Sequence, residues 1–381
     1  MYFHRHMEAV VERIAKRKPV IVLTGARQVG KSTMLKTLYK NIKYVTLNRP
    51  LVRESAKENP SVFFDMNKPP VIVDEIQKAA ELFDYIKKSM EGYEMEMKIL
   101  PIIADTEFKN GFICSGAAHE DGIVGELKSP VAEGCAPDWI CYQWACKNNI
   151  VKGEYAADEN GYSYITESQK VAVSWKEGDP IIMLELKTSK EYDTPRVYGQ
   201  PWPHLLIGQG FTGRCPTLEK LERLDLIFDT RIVYCDSHME KADPALHAAQ
   251  AQLFFTVSAP HDMYWFGVPV YDIREEFVAE FEAEDGGKAD ASHKYIYTVS
   301  QREFTEVSSH TFKRLKYEAD LLPYIKMGLG KAHKSGYLNS NNPADYTLTS
   351  CNIGYEMPGI YDSAFELYNF ALDAVVIVGD K

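Results

Sequence analysis

The sequence has no apolar run of the roughly 18 to 20 residues needed to cross a bilayer. Its first seven residues also lack the apolar core of a secretory signal. Positive charge is scarce as well, because 43 Lys and Arg stand against 54 Asp and Glu and give a net charge of −11. A surface of that sign disfavours binding to nucleic-acid phosphates. These absences predict a cytoplasmic protein without membrane contact and without nucleic acid as its main partner.

Cysteine is too sparse and too irregular to organise the fold. The seven cysteines are odd in number and show no close regular spacing, so reduced thiols are expected in place of a disulfide framework. The tightest group is Cys135, Cys141 and Cys146, whose gaps are wider than the CxxC spacing of zinc sites. We interpret these three as ordinary thiols.

The length of 381 residues predicts two domains, and 45% hydrophobic with 25% charged residues is typical of folded globular proteins. The pattern changes near Gly92. Before it, helical and strand segments alternate, which predicts a parallel sheet covered by helices. After it, short segments of period two are separated by Gly, Pro, Asp and Asn, which predicts an antiparallel β-sandwich of jelly-roll type. We therefore predict an α/β domain over residues 1–92 and an all-β domain over residues 93–381.

The individual elements follow from the same periodicities. In the first part, helices are predicted over residues 7–16, 31–40, 53–58 and 80–90, and strands over residues 19–24, 43–47 and 70–73. In the second part, strands are predicted over residues 171–175, 181–186, 224–228, 252–257, 295–299 and 364–368. One helix over residues 320–335 interrupts these strands, and Gly336 is placed to end it.

A complete phosphate-binding motif, G-x-x-x-x-G-K-S, follows the first predicted strand and precedes a helix. Its glycines allow a tight turn whose backbone N–H groups face a phosphate, and the helix start adds a positive dipole end. Lys31 is expected to contact the β- and γ-phosphates, and the Ser32 hydroxyl is expected to bind Mg²⁺. The predicted nucleotide-binding residues are Gly25, Ala26, Arg27, Gln28, Val29, Gly30, Lys31, Ser32 and Thr33.

Two carboxylates, Asp74 and Glu75, end the second strongly apolar strand. Open α/β sheets bind ligands at the carboxyl ends of their strands. We predict that Asp74 orients Mg²⁺ and that Glu75 polarises the attacking water as the catalytic residue. The alternative is that both side chains merely cap the helix that follows.

These motifs resemble those of prokaryotic AAA-type ATP-binding proteins. The resemblance rests on residues 24–32, on an Arg- and Ala-containing stretch at residues 53–60, and on Asp74-Glu-Ile-Gln77. It implies a P-loop sheet that binds ATP with Mg²⁺, in a class whose members often work as oligomers with an arginine from the neighbour. The family's strand of the form ILTGS, between the phosphate-loop strand and the DE strand, has no counterpart here. Residues 99–106 are the nearest candidate, and Pro101 conflicts with a central strand.

The second part leaves several interpretations open. Aromatic and polar residues alternate in Pro201-Trp-Pro-His-Leu-Leu206, Tyr264-Trp-Phe-Gly-Val-Pro-Val-Tyr-Asp272 and Cys351-Asn-Ile-Gly-Tyr-Glu-Met357. Such segments suit glycan binding, as in lectin-like sandwiches, and they equally suit a core between two sheets. Candidate glycosidase carboxylates are Glu185, Glu222, Asp225 and Asp229, and Glu185-Leu-Lys187 also matches the short E-x-K pattern of nucleases. His204 and His247 are interpreted as structural.

Two hypotheses follow from these patterns. In the first, an ATP-binding, and possible ATP-hydrolysing, domain is fused to a sandwich that recognises a glycan or protein ligand. In the second, the sandwich is a carbohydrate-binding or carbohydrate-active protein, and the N-terminal part is an ATPase remnant without function.

Overall fold

The structure is a computed structural model that describes residues 11, 15, 19–25, 29–90, 96–116, 122–132, 134–175, 180–286 and 291–378. The chain divides into two compact units, Met1–Met95 and Glu96–Lys381. In its described residues the first unit is mainly helical, whereas in the second unit strands are the main secondary structure.

The first unit has four helices and one pair of strands in its described residues. The helices are α1 Lys31–Leu38, α2 Pro50–Glu58, α3 Pro60–Met66 and α4 Glu81–Ser89, and the strands are β1 Lys43–Thr46 and β2 Val71–Asp74. Proline begins α2 and α3, where its missing N–H costs no hydrogen bond. The strands pair in parallel, with Thr46 opposite Asp74. A small core of Leu47, Ala56, Phe63, Ala79 and Leu82 holds these elements together.

The strand predicted at residues 19–24 is wrong for the described structure. These residues belong to no helix or strand, and Val20 and Val22 are 42% and 55% exposed. A strand requires a neighbour for its backbone hydrogen bonds, and in the described part of this unit β1 and β2 pair only with each other. Of the helix predicted over residues 7–16, the structure describes Val11 and Ala15, both helical.

The second unit is built from strands in two sheets. The strands are β3 Glu96–Pro101, β4 Phe112–Ser115, β5 Ile123–Leu127, β6 Trp139–Tyr142, β7 Glu154–Asp158, β8 Gly161–Ile165, β9 Gln169–Ser174, β10 Ile181–Lys187, β11 His204–Gly210, β12 Leu221–Ser237, β13 Gln250–Ser258, β14 Met263–Asp272, β15 Phe281–Glu284, β16 Tyr295–Thr298, β17 Leu315–Asp320, β18 Thr347–Glu356 and β19 Tyr361–Val378. The eight-stranded sheet has the order β17-β12-β19-β10-β9-β8-β7, with β3 on β19. The nine-stranded sheet has the order β15-β16-β14-β13-β18-β11-β6-β4-β5.

The two sheets share one core, so the second unit is a mostly β, sandwich-like structure. Alternating positions such as Leu184 and Phe365 in the eight-stranded sheet and Ile207 and Ile353 in the nine-stranded sheet belong to a single buried cluster. Every strand predicted in this part is confirmed. The predicted helix is confirmed as α5 Leu322–Lys334, and Gly336 follows it with a φ of 80°.

The segment nearest to the missing ILTGS strand lies in this second unit. Its first part, β3, pairs antiparallel with β19, and Pro101 stands opposite Asp373 at the end of that ladder. Pro101 therefore lies at a strand end, where it interrupts no continuous ladder. In the described residues, no strand occupies the place next to β2 that the resemblance predicts for ILTGS.

Candidate functional site

Ser32 and Asp74 meet at the carboxyl end of β2. Ser32 lies in the first turn of α1, and its hydroxyl donates a hydrogen bond of 2.9 Å to Asp74 Oδ1. Both groups are partly buried. A hydroxyl and a carboxylate at this separation are hard oxygen ligands of the kind that Mg²⁺ prefers. The donor set therefore fits the predicted metal.

The start of α1 has a left-handed glycine immediately before the helix. Gly30 precedes the helix with a φ of 75°, a left-handed conformation that favours glycine. The first N–H groups of a helix have no acceptor within the helix, so they are available to an anion. Lys31 Nζ donates to the Gly25 carbonyl at 2.9 Å and so folds back over the loop. Ala26, Arg27 and Gln28 lie outside the described residues, while Val29 and Thr33 are exposed beside the turn.

Glu75 stands next to this pair but has a different environment. Its backbone is left-handed, with a φ of 59°, and the turn Ile76–Lys78 follows it. Glu75 Oε2 accepts a hydrogen bond of 2.8 Å from Gln77 Nε2 and lies 3.9 Å from Lys78 Nζ. The Glu75 side chain makes no capping hydrogen bond to that turn, which removes the capping interpretation for this residue.

Tyr44 completes the site, and sequence reasoning missed it. Its hydroxyl donates to Asp74 Oδ2 at 2.5 Å, so both oxygens of that carboxylate have donors. Burial first, and the bond to Asp74 second, raise the pKa of Tyr44 to about 12. The Lys36 ammonium lies 3.8 Å from the centre of the Tyr44 ring. The observation that could have identified Tyr44 is the parallel pairing of β1 with β2, because this pairing places Tyr44 beside the strand that ends in Asp74.

Residues 17–101 match the family model of an AAA domain. No curated protein matches the chain. Among solved structures, a family 12 xyloglucanase from Bacillus licheniformis shares 9% identity and a TM-score of 0.34, covering 59% of this chain and 97% of that one. A Cel12A cellulase derived from Rhodothermus marinus shares 12% identity and a TM-score of 0.31, covering 62% and 99%. Similarity at this level does not identify a shared fold.

Beyond the region matched by the AAA domain, the carboxylates named from the sequence are held in separate contacts. Glu185 accepts a hydrogen bond of 2.7 Å from the Tyr234 hydroxyl and lies 3.4 Å from Lys187. Asp225 pairs with Arg223, Asp229 pairs with Arg314, and Glu222 lies near the start of β12. In the described residues, no three His, Cys, Asp or Glu side chains form a group that could hold a metal ion. In this part of the chain, Glu185 of the E-x-K pattern therefore belongs to no group of acidic side chains that could bind the metal ion of a nuclease.

The three aromatic and polar segments lie on three nearby strands of the nine-stranded sheet, two of which are adjacent. They correspond to the start of β11, to β14 and to the end of β18, with β13 between β18 and β14. The pairing places His204 opposite Glu356, and Glu356 opposite Gln250. His247, in contrast, bonds to the Arg196 carbonyl at 2.9 Å and to the Asp243 amide at 3.0 Å, as a structural histidine does. The sequence analysis did not identify Gln250 or Gln252, two residues further along β13, as candidate functional residues.

No helix in the described part of the chain has the length and apolar character required to span a lipid bilayer.

Proposed function

We propose that the N-terminal unit binds ATP together with Mg²⁺. The observation that carries this proposal is the 2.9 Å contact between Ser32 and Asp74, in the first turn of α1. Lys31 would leave the Gly25 carbonyl to contact the β- and γ-phosphates, while Ser32 and Asp74 would hold the metal. The family match over residues 17–101 supports the same function. The cation would neutralise charge between the phosphates.

Glu75 is the proposed catalytic residue of ATP hydrolysis. Its carboxylate follows the metal-site Asp74 directly, accepts a hydrogen bond from the Gln77 amide and lies 3.9 Å from Lys78 Nζ. A carboxylate beside bound phosphates can orient and polarise a water molecule. An arginine from a second copy of the chain would complete such a site in an oligomer.

A titration calorimetry experiment tests nucleotide binding directly. Full-length wild type, Lys31→Ala and Lys57→Ala are titrated with ATP, once with Mg²⁺ and once with EDTA. Loss of a charged hydrogen-bond donor to phosphate should weaken binding at least about tenfold in Lys31→Ala. Lys57 is an exposed lysine at the end of α2, so Lys57→Ala is the charge-matched control and should bind as wild type does.

Three outcomes would contradict the proposal. Equal affinities in Lys31→Ala and Lys57→Ala would show that the loop does not hold the phosphates. Affinity that is the same with Mg²⁺ and with EDTA would remove Ser32 and Asp74 as metal ligands. Complete absence of binding in wild type would favour the hypothesis of a remnant without function.

A second function is proposed for the sandwich, namely recognition of a glycan or protein ligand. The observation that favours it is the convergence of three aromatic and polar segments on nearby strands of one sheet. The Tyr264, Phe266, Tyr271 and Tyr355 rings of these segments belong to the buried core, whereas Trp202 and Trp265 are only partly buried. A face of this composition suits a ligand that has both hydroxyl groups and apolar surfaces.

A further inference from the structure

The outer face of the nine-stranded sheet, meaning the face turned away from the core, contains side chains that are buried without belonging to that core. Leu206 and Gln252 stand on either side of Gly354 in the ladder. Their neighbours Leu205, Ile207 and Leu253 belong to the core, so alternation places Leu206 and Gln252 on the opposite face. Even so, Leu206 is 2% exposed and Gln252 is 7% exposed.

Buried polar atoms without a hydrogen-bond partner occur at three positions of this face. They are His204 Nδ1, Gln252 Oε1 and Thr298 Oγ1, on β11, β13 and β16 of the nine-stranded sheet. A buried polar atom without a partner destabilises the folded state, so each of them calls for an explanation. A ligand that supplies the missing partners is one such explanation.

The centre of the face has a gap in its side-chain layer. Gly354 has a φ of 155°, and a Cβ atom built there would lie 2.2 Å from the Leu205 carbonyl oxygen. The backbone geometry therefore requires glycine at this position. As a result, no side chain lies between Leu206 and Gln252 on this face of the sheet. Glu356 lies two residues after Gly354 on the same strand, β18.

Aromatic rings border this gap on one side. The Trp202 ring stacks on His204 at 5.9 Å, and Trp144 meets the same imidazole edge-on at 5.6 Å. Trp144 is also packed against Tyr142 at 4.6 Å, and its ring is more than one-third exposed. Trp202 Nε1 donates to Glu356 Oε2 at 3.2 Å, which ties the rings to the carboxylate.

We propose that this face is a binding site for a neutral saccharide, with Gln252, His204 and Glu356 as its hydrogen-bonding groups and Trp144 as an aromatic platform. The inference rests on the proposed ligand-recognition function of the sandwich and names its site and ligand class. The face contains a buried amide oxygen and a buried imidazole nitrogen, both without a hydrogen-bond partner, beside a carboxylate, and groups of these kinds pair with hydroxyl groups. The indole ring packs against the C–H face of a sugar.

The charges around the rings favour a neutral ligand over an anionic one. Glu356 contributes a negative charge beside His204, at 3.5 Å between Oε2 and Nε2. The cation above Trp202 is Arg196, 4.7 Å from the ring centre. Arg196 already donates to the carbonyls of Gln200 and Leu246, at 2.7 and 3.4 Å. The Glu356 carboxylate would therefore repel an anionic ligand, and Arg196, which already donates to two carbonyls, would offset that repulsion poorly.

The test is a titration of the full-length chain with cellohexaose, maltohexaose, mannohexaose and, as the anionic comparison, hexagalacturonate, followed by calorimetry. At least one neutral hexasaccharide should bind to wild type. Gln252→Leu should weaken that binding about tenfold, because it removes a hydrogen-bond acceptor. Its melting temperature should stay the same or rise, because the variant also removes a buried oxygen without a partner. A structural role would give the opposite change in melting temperature.

The matched control is Thr230→Val. Thr230 Oγ1 is likewise buried without a partner, but Thr230 lies in the eight-stranded sheet. Thr230→Val should share the stability change and bind saccharide as wild type does. Trp144→Ala, which alters a partly exposed ring, should bind several-fold more weakly while remaining folded.

The outcomes separate this site from the broader function. Saccharide binding that is equal in wild type, Gln252→Leu and Trp144→Ala would overturn the site and leave glycan recognition standing elsewhere on the sandwich. Binding of hexagalacturonate alone would overturn the neutral ligand class. Binding of none of the four probes would overturn both the site and the glycan-recognition function.

Discussion

At the residue scale, the Asp74 carboxylate organises the candidate nucleotide site. One oxygen accepts from Ser32 and the other from Tyr44, so the side chain is fixed from two directions. Such fixed hydrogen bonds orient a metal ligand before the metal binds. Glu75, one residue later, has its own partner in Gln77 and does not take part in that pairing. The two adjacent carboxylates are therefore placed for different tasks.

This division of tasks predicts the behaviour of Glu75→Gln. The variant should bind Mg-ATP as wild type does, since Asp74 and Ser32 are unchanged. Its ATP hydrolysis should fall by about 10² to 10⁴-fold, as when a general base is removed. Phosphate release measures the turnover, and calorimetry measures the affinity.

Glu81→Gln is the control, because Glu81 is an exposed acid in the first turn of α4. It should hydrolyse ATP at the wild-type rate. If Glu75→Gln retained wild-type turnover, Glu75 would not be the catalytic residue, and the binding proposal would still stand on the Lys31 experiment.

At the element scale, the first unit shows that an apolar, β-branched segment does not become a strand without a partner. Residues 19–24 have the composition of a buried strand, yet in the described structure they form no ladder. The strand that pairs with β2 is β1, and the segment nearest to the missing strand pairs with β19 in the second unit. A two-stranded sheet is marginal by itself, so the helices and their small core supply most of the cohesion.

Hydrogen exchange tests this assignment at the level of elements. Amides in residues 20–24 should exchange markedly faster than amides of β2, because ladder hydrogen bonds protect β2 on the side of β1. Mass spectrometry of peptic fragments resolves the two segments. Equal protection of residues 20–24 and β2 would mean that the first segment is paired in solution, contrary to the structure.

At the scale of the whole molecule, the two units differ greatly in the size of their cores. In the described residues, the buried apolar cluster of the first unit has five members, whereas the second unit packs two large sheets around one extended cluster. Stability rises with the apolar surface that a unit buries. The two units should therefore differ in resistance to unfolding.

Limited proteolysis checks that difference. Residues 91–95 directly precede the second unit in the sequence and contain Glu and Tyr, after which Glu-C protease and chymotrypsin cleave. Digestion of the full chain should leave a resistant fragment that begins near Glu96, while the first unit is degraded. Addition of Mg-ATP should slow degradation of the first unit, because a ligand stabilises the state that binds it. Equal survival of both units, or a single cooperative thermal transition, would contradict the difference in stability.

Local information explains which expectations held. The motif at Gly25–Ser32, the apolar strand ending in Asp74 and the period-two strands of the second unit all depend on neighbours within a few residues, and the sequence displays them directly. The helix α5 and the glycine that follows it are local in the same sense. Tyr44 and Gln252 were missed because their roles depend on pairing with strands far away in the chain.

By itself, then, the sequence determined the phosphate-loop motif, the change from α/β to β pattern and the positions of eight of the nineteen strands in the described residues. Only the tertiary structure decided that residues 19–24 lack a ladder, that Tyr44 holds Asp74, and that three distant segments share one sheet. The physical reason is that backbone pairing and side-chain burial depend on which strands become neighbours. That choice is made by the packing of the whole unit, and a short window of sequence does not contain it.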